Sequence, residues 1–266
     1  MSNKWLKKAA FFALLLGTIV ALEQNFQVLR LRNITIPTLE VLPDSILWPR
    51  VSSENIRYWP LFYLDKDKVI KDIEENIPVT VTIECTGWGS FSFMARPLKP
   101  KFMVFWRGSE WFVADGGLMW SVYHPMNGVI QAQKPEENMI VIWSDALGRD
   151  SVKHEMAPEE IISSPIPLSK LEYWKKLLED SGFYENTKSI SVFPEGEEIY
   201  VEVLMRLGSQ RVKVKLQASG ENWSLLFKAI KNILKDPEIS GYDVFIDTTY
   251  EGKILVKKER KSTGVW

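Results

Sequence analysis

Cysteine and histidine are almost missing from this sequence. One cysteine, Cys85, and two histidines, His124 and His154, occur in 266 residues. A lone cysteine cannot close an intramolecular disulfide, and with no CxxC pair or Cys/His cluster there is no ligand set for a structural metal. Two isolated histidines with no motif around them leave little for general acid–base work. An excess of charge of one sign is missing too: 33 basic against 34 acidic residues give a net charge of -1, so no broad basic field exists to grip nucleic-acid phosphates. GWG at Gly87–Gly89 lacks the further glycine and following helix of a phosphate cradle and reads as a bulge or turn. The expectation is a protein with no catalytic activity, no cofactor, no metal and no nucleic-acid partner. Hydrophobic residues at 45% and charged residues at 25% suit an ordinary globular body, one or two domains at roughly 150 residues each.

The one long apolar run stands at the start. Lys4, Lys7 and Lys8 precede AAFFALLLGTIVAL, Ala9–Leu22, which Glu23 closes. The run alone is shorter than the roughly 20 residues that span a ~30 Å hydrocarbon core, and its length also suits a cleaved signal peptide. Cleavage after Ala21 would place bulky Ile19 where a small residue is required. The reading favoured is a transmembrane anchor over 9–23, extensible from Trp5 to about Phe26, behind a cytoplasmic tail over 1–8. Lysines before the run and a glutamate after it put the N-terminus in the cytoplasm and the bulk of the chain outside it, at the cell (inner) membrane.

Beyond the anchor, FQVLRLRNITI (Phe26–Ile36) alternates enough to read as a strand. Pro37, Pro43, Pro49 and Pro60 then leave room for a short helix over Ser52–Tyr58. Asp65 is placed to cap a helix whose stripe is Val69, Ile70 and Ile73, ending before Pro78. Val79, Val81, Ile83 and Cys85 alternate with polar residues, and Phe91 and Phe93 follow on the far side of the glycines, which predicts a hairpin with one buried face and Cys85 as a small core hydrophobe. The order β, α, α, β, β is a small α+β domain over 24–97. The prolines of ARPLKP, Ala95–Pro100, mark its end.

The second domain, 98–258, reads as β-rich with packing helices. Short strands are predicted at Met103–Trp106, Trp111–Ala114, Leu118–Val122 and Met139–Trp143, with turns at Arg107-Gly108 and Asp115-Gly116-Gly117. Amphipathic helices are predicted over Leu168–Asp180, with Gly182 as cap, and over Asn222–Lys235. Ile199, Val201, Val203 and Met205 face Val212, Val214 and Leu216 across Gly208-Ser209 in a long hairpin. A last hairpin pairs Tyr242–Thr249 with Lys253–Lys257 through Glu251-Gly252, before a polar tail that includes 259–266.

In this order and spacing the chain resembles the FtsQ/DivIB bacterial cell-division proteins. The residues that carry the resemblance are FQVLRLRNITI after the anchor, LFYLD (Leu61–Asp65), IPVTVTI (Ile77–Ile83), ARPLKPKFMVFWRGSEWFVADGGLMW, and DTTYEGKILV near the C-terminus. In the last, Asp247 and Tyr250 match the family's DLRY-type strand, while Thr248 and Thr249 replace leucine and arginine, and the following turn is one residue shorter. The resemblance implies a POTRA-like βααββ domain followed by a β domain, and a bitopic divisome scaffold of the septum. Its implied partners are FtsB/DivIC and FtsL-type proteins, with self-association left open. It places partner binding at Tyr250, Gly252, Ile254 and Val256, where the free rim of a last strand can accept a partner strand.

Plainer readings stand beside these. Tyr250 reads equally as strand packing and as a binding anchor. Trp106, Trp111, Trp120 and Trp143, among 11 tryptophans, read as core rather than as a sugar groove. Asp243 and Asp247 share a strand face as a paired-carboxylate hydrolase would need, but solvated or turn-capping roles are the expectation. His154 reads as a loop residue. Lys257, Lys258, Arg260 and Lys261 read as a frayed, solvated terminus. An anchored or secreted binding module unrelated to division, or a cell-wall hydrolase using Asp243, Asp247 or His124, are the alternatives.

Overall fold

The computed structural model describes residues 3–36, 58–144, 159–195, 198–219 and 222–259. The helix expected over Ser52–Tyr58 therefore lies, but for Tyr58, outside the described residues, as do His154, Arg260 and Lys261. The chain is α+β and forms two compact units, Met1–Pro97 with Gly128–Gln131, and Leu98–Asn127 with Ala132–Trp266.

The first unit opens with helix α1 (Asn3–Phe26). Over Lys7–Phe26 it is long and apolar enough to cross a membrane, and none of that span is buried among the described residues. Its 24 residues extend about 36 Å at 1.5 Å per residue. The predicted strand over Phe26–Ile36 shrinks to β1 (Asn33–Thr35), because Phe26 completes the helix and Gln27 turns the chain at φ +50°. Helix α2 (Trp59–Asn76) starts six residues ahead of the expected cap at Asp65, since Pro60 sits in the first turn, where its missing N–H costs nothing. Asp65 lies inside the helix and pairs with Lys68 at 3.1 Å. Strands β2 (Val79–Gly87) and β3 (Ser90–Pro97) form the expected hairpin. They complete a sheet of order β1–β3–β2 in which β1 runs parallel to β3. Phe62 and Ile73 of α2 are buried with Val79, Val81, Ile83, Phe91 and Phe93, and the Phe62 and Phe91 rings meet edge-on at 4.8 Å. Cys85 is exposed, not in the core: it keeps the register opposite Phe91 but stands at the end of the regular ladder, which slips before Gly87.

The second unit is built on a ten-stranded sheet. Its strands are β4 (Pro100–Trp106), β5 (Ser109–Ala114), β6 (Leu118–Ser121), β7 (Ile140–Trp143), β8 (Ile161–Ser163), β9 (Thr187–Glu195), β10 (Glu198–Leu207), β11 (Gln210–Gln217), β12 (Asp243–Asp247) and β13 (Leu255–Glu259). Their spatial order is β13–β12–β11–β10–β9–β7–β4–β5–β6–β8. Helices α3 (Leu168–Ser181) and α4 (Trp223–Ile233) share one core with the apolar face of this sheet. The hairpin β10–β11 has the expected register, Val201 on Leu216, Val203 on Val214 and Met205 on Val212, all fully buried. Gly182 ends α3 at φ +74°, a left-handed cap that closes the last carbonyls. Trp174 of α3 stacks on Trp223 of α4 at 6.2 Å, and Trp106 meets Trp111 edge-on at 6.1 Å. Trp106, Trp111 and Trp120 are buried and Trp143 is half-buried against the core, so these rings pack the interior.

Candidate partner-binding edge

Among the described residues β13 has one neighbour, β12, and ends the sheet. The pairing is antiparallel, with Asp243 opposite Glu259, Phe245 opposite Lys257 and Asp247 opposite Leu255. Which backbone groups remain open follows from the other side of β12, which runs parallel to β11. The Thr248 N–H donates to the Lys215 carbonyl at 3.0 Å. Backbone groups point to alternate sides along a strand. Ile246 and Val244 therefore bond to β11, while Phe245 and Asp247 bond to β13. Leu255, Lys257 and Glu259 return those bonds, so the N–H and C=O of Val256 and Lys258 point to the open rim.

The sequence-predicted residues distribute around this rim. Val256 is a rim residue, 38% exposed, while Leu255 beside it is also exposed. Tyr250 lies in the loop before β13, not in a strand, and is 54% exposed. Its loop is tied down on both sides. The Asp247 carboxylate accepts from the Thr249 N–H at 2.9 Å and the Thr249 hydroxyl at 2.7 Å, and the Thr248 hydroxyl donates to the Lys215 carbonyl at 2.9 Å. The Lys253 N–H then closes a turn on the Tyr250 carbonyl at 3.2 Å, with Gly252 at φ +67°. Gly252 is thus a turn residue that holds Tyr250 in place. Ile254 is half-buried against the core and precedes the strand. Lys257 and Lys258 belong to β13, correcting the expectation of a frayed terminus from Lys257 on; the predicted strand shifts by two residues, because the loop after β12 is longer than the turn at Glu251-Gly252 suggests. Lys258 approaches Glu238 at 3.6 Å and the Tyr242 ring at 5.8 Å. Lysines on an edge oppose indiscriminate strand pairing.

Leu255 and Lys258 were not among the residues expected at this edge, and the register places them on it. Their positions depend on the parallel β11–β12 ladder, for which the sequence carries no local signal.

The other edges are less open. β1 and β8 have three residues each. β2 is long, yet the Val81 N–H donates to the Glu74 carboxylate and the Val79 N–H to the Ile77 carbonyl, both at 2.7 Å.

The carboxylates and histidine considered for catalysis are engaged elsewhere. Asp243 is buried and accepts from the Arg211 N–H at 2.9 Å. Asp247 caps the loop as described. His124 is buried, its Nδ1 accepting from the Met126 N–H at 3.1 Å and its Nε2 lying 3.3 Å from the Glu159 carbonyl. The densest ionic group lies on α3: Lys175 pairs with Glu137 at 2.6 Å and with Glu179 at 3.5 Å, and the Tyr184 hydroxyl also donates to Glu137. Burial works against the Glu137 charge, but the bonds from Lys175 and Tyr184 together hold its carboxyl below the ordinary range. Burial first and then the bond to Glu137 push the Tyr184 phenol up. This group fastens the segment ahead of β7 to α3. Among the described residues no group of three or more His, Cys, Asp or Glu is placed to hold a metal.

No protein-family model matches the chain, and no curated protein matches it.

Proposed function

We propose that this protein is a membrane-tethered, non-enzymatic scaffold of FtsQ/DivIB type, which holds FtsB/DivIC- and FtsL-like division proteins outside the cytoplasm by accepting a partner strand on β13. The observation that carries the reading is the rim at Val256 and Lys258, an exposed strand edge that follows a hydrogen-bonded loop bearing exposed Tyr250. Backbone pairing supplies affinity in such an addition, and an aromatic held by its loop supplies position. The sheet order β1–β3–β2 with α2 against it is compatible with the β, α, β, β part of a POTRA-like unit. The apolar α1 supplies the tether, with the lysines of its first turns facing the cytoplasm.

The cellular test is depletion. Filamentous cells, with the protein at midcell beforehand, are the expected result. Normal division without midcell localisation contradicts the proposal. Co-purification of FtsB/FtsL-type coiled-coil partners separates a division scaffold from an unrelated binding module.

A further inference from the structure

The end of α1 is joined to the first unit by a built connection. The Glu23 carboxylate, one turn before the helix end, accepts the Leu29 N–H at 2.7 Å and lies 4.0 Å from the Arg30 guanidinium. The Arg30 N–H closes a turn on the Gln27 carbonyl at 3.1 Å. The next residues seat directly on the start of α2 and the β2–β3 turn. The Trp59 indole N–H donates to the Val28 carbonyl at 3.1 Å and its backbone N–H to the Leu29 carbonyl at 3.0 Å. The Arg32 N–H donates to the Gly89 carbonyl at 2.7 Å.

Several apolar side chains near this connection are exposed. Trp88, at the β2–β3 turn, is 70% exposed and meets Trp59 edge-on at 6.1 Å. Leu61 and Leu64, three positions apart on α2, are exposed and lie off the face that buries Phe62, Leu64 at 73%; Tyr58, the extended residue just before the helix, is also exposed. Phe26, the last residue of α1, is exposed as well. A patch of this composition is unfavourable in water and suited to the headgroup layer, where indole and phenol rings concentrate. Exposed Arg32 adds attraction for anionic headgroups.

We propose that this tip of the first unit, Tyr58, Leu61, Leu64 and Trp88, is a lipid-contacting surface seated in the outer headgroup layer beside the exit of α1. Lipid is the occupant because only a few hydrogen-bonded residues separate the tip from the apolar helix. The inference rests on α1 crossing the membrane. Its consequence is that the first unit is oriented by two attachments, the helix and the tip, rather than swinging on one.

The test uses the full chain in nanodiscs of phosphatidylcholine and phosphatidylglycerol containing a phosphatidylcholine with a photoreactive group near its headgroup, with crosslinked positions read by mass spectrometry. Labelling at α1 and also at Tyr58–Leu64 and Trp88 is the expected result. The double substitution Leu64→Ser, Trp88→Ser removes two largely exposed side chains and one ring contact, that of Trp88 with Trp59. It should cut labelling of Tyr58–Leu61 by about fivefold while labelling of α1 stays unchanged. Labelling confined to α1 overturns the tip contact and leaves the anchor standing. Labelling at neither overturns both.

Discussion

At the residue scale the decisive distinction is between neighbours in β13. Val256 directs its N–H to the rim and Lys257 directs its N–H to Phe245, on the register given by the β12 pairings. Proline at an edge position whose N–H faces outward is tolerated, whereas proline within a ladder is not. Val256→Pro is expected to leave the thermal midpoint nearly unchanged and weaken partner binding at least tenfold, about 1.4 kcal/mol. Lys257→Pro should destabilise the sheet edge by about 3 kcal/mol, read by chemical denaturation. Equal effects of the two on stability would show that the rim assignment is wrong. Tyr250→Asp should weaken the same binding without altering the denaturation midpoint, because the ring is exposed and makes no core contact.

A second residue-scale outcome concerns pH. Glu137 is held below its ordinary value of 4.5 in the folded chain. Its contribution to stability is therefore present above that value and is lost as pH falls through the lower, folded one. Glu137→Gln should flatten the acid limb of a stability–pH curve and destabilise the protein at neutral pH by about 1–3 kcal/mol, since Lys175 and Tyr184 lose a charged acceptor. An unchanged acid limb would remove Glu137 from the account.

At the element scale, two tryptophans join the helices. Trp174 and Trp223 are buried and stacked at 6.2 Å, so Trp174→Ala is expected to cost about 3–5 kcal/mol and to loosen α4 together with α3, measurable as lost hydrogen-exchange protection in both. Protection lost in α3 alone would contradict that joint packing. How far the elements were legible follows their local signals. The β10–β11 register could be read because Val201, Val203 and Met205 meet apolar partners across a short glycine turn. Helix α3 could be read because its stripe ends at a glycine that supplies a left-handed cap. Four pairings could not: β1 with β3, β4 with β7, β7 with β9 and β11 with β12 are parallel, and parallel neighbours are brought together by long crossovers rather than by any local pattern. The beginning of α2 was hidden by a choice between two legitimate signals, Pro60 in a first turn and Asp65 as cap, and packing of Phe62 on Phe91 favours the earlier start. Gly89 shows the same dependence on tertiary context. A Cβ there would lie 2.6 Å from the Arg30 carbonyl oxygen, and the backbone is already at φ +69°, so its need for glycine arises from a contact 59 positions back in the chain.

At the scale of the whole molecule, the two units carry different burdens. The first follows the apolar helix and bears the proposed lipid-facing tip; the second bears the open edge. Of the candidate edge, the last hairpin near the C-terminal end of the second unit could be read from the sequence. The split between rim residues, turn residue and half-buried Ile254 required the ladder of β12 to be known on both sides. Ile254 in particular alternates like a contact residue yet packs inward.

The most direct measurement is photocrosslinking in intact cells with a photoreactive residue stepped from Tyr250 to Glu259, in the native background and with Val256→Pro. The account predicts crosslinks from Tyr250 and Leu255 to one extended segment of an FtsB/DivIC- or FtsL-type protein, shifting along that segment as the probe advances and disappearing with Val256→Pro. Crosslinks that persist at full strength in Val256→Pro, or a scan that captures no partner segment at any position, would contradict it.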